Sequence, residues 1–349
     1  MKKIDHIKHQ KNNVNFGKSV TLDEVAALAG VSPSTVSRIL NGTARVNEAK
    51  VREVNAAISK LQYVPNPAAR LLARGRSMNV GVITQSLNSP YYGEAALAIE
   101  SVLSSLDYSP LFVSGHWRLQ DQRKCINRLL AQKVEGIILI TSSMPDDELI
   151  QLSLCVPLVL TGRSIEAQNI YCLDNDNTPA ARLATEYLIG QGHRKIAFIT
   201  GPSTHPDAIQ RLEGYKSALA AKKIVFSRSL LATGDYTEAG GYSAMNQLID
   251  SKKEFTAVFA ANDEMAFGAM LALYRRGLRV PQDISIIGFD DLHACSFTIP
   301  PLTSLHRSID EVGEHAARAM VDLIEGRKPA SWSPAVRLSI RESTQSRSE

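Results

Sequence analysis

From Asn79 onward, apolar residues gather in short runs: VGVIT (80–84), PLFVS (110–114), EGIILIT (135–141), PLVLT (157–161), KIAFIT (195–200), TAVFAA (256–261) and DISIIGF (283–289). Stretches with helical spacing lie between them, over 93–106, 119–132, 178–191, 238–250 and 264–276. Runs of this kind are buried on both faces, and their alternation with helices predicts parallel sheets covered on both sides. There are enough strands for two sheets. A further helix over 311–325 follows the run ending at Phe289, so the chain is expected to recross between two lobes.

The stretch TLDEVAALAGVSPSTVSRILNG (21–42) is patterned differently. Thr21 and Glu24 have capping-box spacing, in which each side chain satisfies the other residue's free backbone N–H. Leu22, Val25, Ala26 and Ala29 make one buried stripe, and Gly30 can take the left-handed conformation that ends a helix. Ser32 caps a second helix and Pro33 suits its first position. Val36, Ile39 and Leu40 face inward, which leaves Ser34, Thr35, Ser37 and Arg38 outside. A third helix begins near Asn47 with Val51, Val54, Ile58 and Leu61 on one stripe. Three short helices with a Gly-centred turn between the first two form a helix-turn-helix. The small residues of the second helix let its backbone approach base edges. In YVPNPAARLLARGR (63–76), Pro65 enforces an extended approach, Asn66 can cap, and Pro67 can open a short helix showing Arg70, Leu71, Leu72 and Arg74. So short a helix is marginal alone, so two of them, one per subunit, are expected to stabilise each other on DNA.

Charge supports this division. Residues 1–76 hold 13 Lys and Arg against 5 Asp and Glu, net +8, whereas the remaining residues are net −4. A basic head on a mildly acidic body points to nucleic acid at the head. With 44% hydrophobic and 21% charged residues over 349 positions, the chain can bury a sizeable core. Cys125, Cys155, Cys172 and Cys295 are scattered without CxxC spacing, as expected of a reduced cytoplasmic protein. No apolar run is long enough to span a membrane, and the basic start lacks the apolar stretch of a secretory signal.

VSPSTVSRILNG followed about twenty residues later by YVPNPAARLL resembles the LacI/GalR family of transcriptional regulators, and the likeness extends over residues 20–342. The resemblance implies a helix-turn-helix domain, a hinge helix, and an α/β two-lobed periplasmic-binding-protein-like domain of doubly wound parallel sheets. It divides the chain into a basic arm (1–18), a DNA-binding domain (19–64), a hinge helix and linker (65–78), and an effector-binding and dimerisation domain (79–349). The N-lobe of the last would span 79–175 and 307–335, and the C-lobe 176–306 and 336–349. Pro33, Ser34 and Arg38 match the family's base-reading positions. Thr35, Ser37, Asn41 and Arg45 match its phosphate- or groove-contacting positions, with Thr21, Asn66 and Ala69 joining the DNA-binding set. Leu72 matches the leucine that wedges between base pairs. The implied partners are a palindromic operator and a second copy of the chain. STQSRSE at the end has no apolar repeat to make a tetramer-forming coil, so assembly is expected to stop at a dimer.

Ligands of open parallel sheets bind beyond the carboxyl ends of strands. Thr141, Ser142, Asn262, Asp263, Asp290 and Asp291 stand at such ends, Tyr91 and Tyr92 follow the first strand, and Arg211 and Tyr236 lie in or before helices. An arginine fork, a carboxylate, an amide and flat rings suit a polyol. The resemblance places Tyr92, Arg211, Tyr236, Asn262 and Asp290 in the effector pocket, with Thr141, His205 and Asp207 beside them. It also marks two departures: Gly162 and Arg163 stand where many relatives have an aspartate, and Arg307 stands where glutamine is common. If Arg163 and Arg307 face the cleft with Arg211, a phosphorylated or acidic sugar is expected. If they pair with Asp or Glu across the cleft, it is not.

These features predict a ligand-responsive repressor needing no cofactor or metal. The two-lobed body alone would also suit a solute-binding protein for sugar transport. An α/β enzyme is the remaining class, but G-x-G-x-x-G after a strand, G-x-x-x-x-G-K-[ST], G-x-S-x-G and H-E-x-x-H are all missing from the sequence. The eight histidines show no metal-ligand spacing.

Overall fold

The computed structural model describes residues 20–41, 47–63, 75–173 and 176–347. Two compact units divide the chain, Met1–Ser77 and Met78–Glu349.

The first unit contains α1 (Leu22–Ala29), α2 (Pro33–Asn41) and α3 (Glu48–Leu61). Both halves of the Thr21/Glu24 capping box form: the Thr21 N–H donates to Glu24 Oε2 at 2.7 Å, and the Glu24 N–H to Thr21 Oγ1 at 3.3 Å. Gly30 takes φ +64°, which lets the Val31 N–H reach back to the Ala26 carbonyl at 3.1 Å and end α1. Ser32 Oγ accepts the Thr35 N–H at 3.2 Å, so the second helix starts two residues after the first turn closes. Val25, Ala26, Ala29, Val36, Val54, Ala57 and Tyr63 make the core of this unit.

The second unit is built on two sheets. Its elements are β1 (Asn79–Thr84), α4 (Pro90–Ser105), β2 (Ser109–Ser114), α5 (Leu119–Ala131), β3 (Gly136–Leu139), α6 (Asp146–Ser153), β4 (Leu158–Thr161), β5 (Ile170–Leu173), α7 (Thr178–Gly190) and β6 (Ile196–Thr200). Then follow α8 (Pro206–Ala221), β7 (Leu231–Thr233), α9 (Glu238–Asp250), β8 (Ala257–Ala260), α10 (Asp263–Arg275), β9 (Ser285–Asp290), β10 (Thr303–Arg307), α11 (Ile309–Ile324) and β11 (Val336–Ser339). The first sheet runs β2-β1-β3-β4-β5, all parallel. The second runs β11-β10-β9-β8-β6-β7, parallel except for β11, which pairs antiparallel with β10.

Alternation along the strands explains why both faces of the first sheet are covered. Val80, Val82, Ile138 and Val159 pack with Tyr92, Ala95 and Ile99 of α4 and with Ala316 and Met320 of α11. Ile83, Ile137, Leu139, Leu158 and Leu160 point the other way, onto Ile126 and Leu129 of α5 and Leu149 of α6. Although α11 follows a strand of the second sheet, it lies against the first. At Gly313 a Cβ would stand 2.6 Å from the Ala95 carbonyl oxygen, so only glycine permits this approach to α4. The short elements β5, β7, β10 and α6 were not marked by the apolar runs, because elements of three to eight residues, two of them edge strands, leave little pattern.

Candidate functional site

In the first unit the outer face of α2 is polar and open. Pro33, Ser34 and Arg38 are exposed, while Thr35 and Ser37 are half-buried. Ser32 Oγ lies 2.9 Å from Ser34 Oγ and 2.8 Å from Thr35 Oγ1, so these hydroxyls form a small network tied to the helix cap. The Thr21 side chain is held by its own cap. Asn41 closes α2, and Arg45, Asn66, Ala69 and Leu72 lie outside the described residues.

In the second unit, loops at the carboxyl ends of both sheets meet around a cavity of about 400 Å³. Gln85, Ser89, Tyr91, Tyr92 and Trp117 come from the first lobe, and Asp207, Arg211, Asp235, Tyr236, Glu238, Asn262, Glu264 and Asp290 from the second. Arg211 sits in the first turns of α8 with 5% exposure. Its guanidinium lies 3.7 Å from the Phe289 ring centroid, donates from Nε to Asn177 Oδ1 at 3.2 Å, and reaches the Ala261 carbonyl through Nη1. Its Nη2 stands 3.6 Å from Asp290 Oδ1, close enough for an ion pair but too long for a hydrogen bond, so Asp290 Oδ1 keeps accepting capacity. Burial raises the Asp290 pKa well above the usual carboxylate range, with Arg211 pulling it back. Asn262 caps α10 by accepting the Met265 N–H at 3.0 Å and donates to the Tyr236 carbonyl at 3.1 Å.

Tyr236 and His205 line up on the second lobe with ring centroids 5.7 Å apart and planes within 10°. Gly201 makes room for the Tyr236 ring: a Cβ there would come within 2.2 Å of it. The backbone is left-handed at Tyr236 (φ 68°), Asp290 (φ 111°) and Asp291 (φ 59°), a conformation costing of order 1–3 kcal/mol at a residue with a side chain. Such strain gathers where the fold over-determines the aim of a side chain. Tyr236 Oη and His205 Nδ1 are both buried with no hydrogen-bond partner among the described residues.

Of the residues expected in the pocket, Tyr92, Asp207, Arg211, Tyr236, Asn262 and Asp290 line the cavity. His205 stands behind Trp117, whose indole stacks on it at 3.9 Å. Thr141 is buried, at 4% exposure, and is not among the residues that line the cavity. The expectation of an arginine-rich cleft is corrected. Arg163 points away, paired with Asp146 at 3.2 Å and donating to the Met144 carbonyl at 2.6 Å. Arg307 is buried behind the wall, its Nη1 donating to Asn177 Oδ1 at 2.9 Å, and burial lowers its pKa. Asn177 therefore serves both Arg211 and Arg307 while donating to Asp207 Oδ1 at 2.9 Å. Among the described residues, five acidic side chains (Asp207, Asp235, Glu238, Glu264 and Asp290) line the cleft beside one arginine.

Family models match this chain in both units: bacterial regulatory proteins of the lacI family over residues 21–66, and a periplasmic binding protein-like domain over residues 185–344. The chain is 35% identical over 306 residues to the ribose operon repressor of Escherichia coli (strain K12), which covers 87% of this chain and 93% of that one. It is 36% identical over 334 residues to the HTH-type transcriptional regulator CelR of Thermobifida fusca, covering 93% and 98%. The chain belongs to the LacI family. Among solved structures, the lac repressor dimer bound to operator and the anti-inducer ONPF matches with a TM-score of 0.84 at 31% identity, covering 94% of this chain and all of that one. The CelR–cellobiose complex matches with a TM-score of 0.70 at 34% identity, covering 93% and 99%. As a LacI-family member this protein is a DNA-binding transcriptional regulator, and the match at the head decides against the transport reading that the body alone would allow. Among the described residues no helix is long and apolar enough to cross a membrane.

Trp117, Glu264 and the supporting Asn177 carried no signal in the sequence as parts of the LacI-family cleft. Each lies outside the strand-end pattern or is aimed by partners far along the chain. Gln85 alone marks its place, as a buried polar residue directly after β1, at 1% exposure.

Proposed function

We propose that this chain is a cytoplasmic repressor that binds a palindromic operator as a dimer and changes its DNA affinity when a neutral sugar occupies the cleft. The observation that carries the ligand class is the charge of the cavity wall. Among the described residues the wall sets five acidic side chains beside a single arginine that already faces Asp290, so a phosphate or a sugar acid would find no cluster of guanidinium groups, while these acids hydrogen-bond neutral hydroxyls in either protonation state. Arg211 and Asp290 offer donors and an acceptor side by side, and Tyr236 offers a ring face to the apolar side of a sugar. The head supports the DNA half of the reading: Ser34 and Arg38 stand exposed on α2, and Arg38 has the fork that reads guanine in the major groove. The cleft binds and releases its ligand without changing it, in keeping with relatives that are regulators. Residues 19–64, 65–78 and 79–349 then serve as reader, hinge and sensor.

The test is to select operator DNA for the purified full chain from a random pool, then titrate binding with salt and sugars. A palindromic site should emerge, with affinity falling about 10³-fold or more between 50 and 200 mM salt if six or more phosphates are contacted. Neutral pentoses, hexoses or disaccharides should shift that affinity and their phosphorylated forms should not. A site without twofold symmetry, or a flat salt response, would overturn the DNA half. Response only to phosphorylated or acidic sugars would overturn the ligand half.

A further inference from the structure

We infer that Trp117 limits the effector to a single sugar ring, its indole filling the place that a second ring would take over His205. The inference rests on the sugar reading of the cleft. Its basis is the arrangement of three rings. Trp117 lies 3.9 Å from His205 and 6.5 Å from Tyr236, and His205 lies 5.7 Å from Tyr236, with all three planes within 22° of parallel. These distances make a nearly right-angled triangle with its corner at His205. His205 and Tyr236 are therefore largely side by side, as a flat floor on the second lobe, and Trp117 of the first lobe lies over the His205 half alone. The two floor rings are spaced much like two linked sugar rings.

The cavity reflects this cover: Trp117 and Tyr236 line it, and His205 does not. Beneath the indole, His205 Nδ1 is buried with no hydrogen-bond partner among the described residues, as a group suited to a sugar hydroxyl would be. The indole is held there on purpose-built backbone. His116 and Trp117 are consecutive left-handed residues (φ 50° and 57°), a conformation that side-chain-bearing residues adopt only when the surroundings fix it. Gln85 fixes it: its carbonyl accepts the His116 N–H at 3.1 Å and its Oε1 accepts the Trp117 N–H at 3.0 Å. Gln122 Nε2 donates to the same Oε1 at 3.3 Å, and Gln85 Nε2 donates to the Thr141 carbonyl. A ring so anchored rejects a longer ligand by occupying its space, which is selection by steric exclusion.

The stack can be read without a ligand. The chain has two tryptophans, Trp117 and Trp332, and Trp332→Phe leaves Trp117 as the sole indole emitter. Protonated imidazole quenches a stacked indole. Burial, opposed by Asp207, holds the His205 pKa below its usual 6.5, so emission should drop below that pH and the step should vanish in His205→Gln. No such step would overturn the stack and the inference with it. Calorimetry then compares ribose, galactose and glucose with cellobiose and maltose on wild type, Trp117→Phe and Trp117→Ala. Wild type and Trp117→Phe should favour the best single-ring sugar over the best disaccharide by roughly tenfold or more. Trp117→Ala should erase or reverse that preference. Binding by wild type and Trp117→Ala with an unchanged ratio would overturn the gate and leave the sugar reading standing. Tighter binding of disaccharides by wild type would do the same. Binding of no sugar by any variant would overturn the sugar reading itself.

Discussion

In the first unit, Pro33, Ser34 and Arg38 stand in solvent on one face of a single helix, whereas in the second Arg211, Asn262 and Asp290 are 5%, 5% and 6% exposed. The head presents its chemistry on short side chains whose hydroxyls are tied to a helix cap. The cleft assembles its chemistry from strand ends and loops more than a hundred residues apart, and keeps polar atoms waiting: Tyr236 Oη, His205 Nδ1 and Asp290 Oδ1. A surface that must fit a grooved, hydrated polyanion gains from staying open and short. A pocket for a small polar ligand must exclude water, so each misplaced group there costs a full unpaired hydrogen bond. Substitutions in the cleft should therefore cost more than comparable ones on the head, and they should leave the other function alone.

The largest effect is expected at Arg211. Its guanidinium is permanently charged and offers several donors in a fixed fork. Arg211→Ala should weaken sugar binding by about 2–4 kcal/mol, or roughly 30- to 1000-fold, while operator affinity without sugar stays unchanged. Arg211→Lys, which keeps the charge but not the fork, should recover folding without full affinity. Calorimetry and operator binding on both variants check this. Equal loss of the two functions would break the contrast between the units.

Next comes Arg38. Loss of a bidentate base contact should cost about 1–3 kcal/mol and relax base preference at one operator position. Selection of new sites by Arg38→Ala reads this directly, and an equal loss on specific and random DNA would make it a phosphate contact instead. Thr21→Ala should be smaller still. Removing an N-cap costs about 1 kcal/mol, so α1 amides such as that of Glu24 should exchange with solvent several-fold faster in the full chain, with sugar binding unaffected.

A further effect, spread over several pH units and so small between neighbouring pH values, lies at Asp263. Asp263 is fully buried, accepts the Ser304 hydroxyl at 2.6 Å and the Leu292 N–H at 2.8 Å, and has its pKa pushed up to about 7 by burial. The folded chain thus holds this proton up to near neutrality, whereas the unfolded chain releases it at about 3.9. The stability it contributes is present at low pH and is lost as pH rises from about 4 to 7, by at most ~1.4 kcal/mol per pH unit. Melting temperatures at pH 5, 6, 7 and 8 should fall less steeply with pH in Asp263→Asn than in wild type. Parallel curves would show that Asp263 is ionised throughout.

The capping box of Thr21 and Glu24, the Gly30 turn and the Ser32 cap were legible in the sequence because each depends on partners within three or four positions. The seven apolar runs became strands for a similar reason: continuous Val, Ile and Leu tolerate little but a doubly covered sheet. Even Arg211, Asn262 and Asp290 could be picked out, since strand ends and helix starts mark where a parallel sheet receives ligands. What tertiary structure alone decided was the neighbours. Arg163 and Arg307 looked alike along the chain, yet one pairs with Asp146 away from the cleft and the other lies buried on Asn177. Trp117 and His205 are separated by 88 positions, and nothing local to either predicts that an indole would lie 3.9 Å above an imidazole. Local hydrogen bonds depend on spacing and so are written in order along the chain. The charge and length of the cleft depend on which loops two separate sheets bring together, and that is set only when strands far apart in sequence have paired.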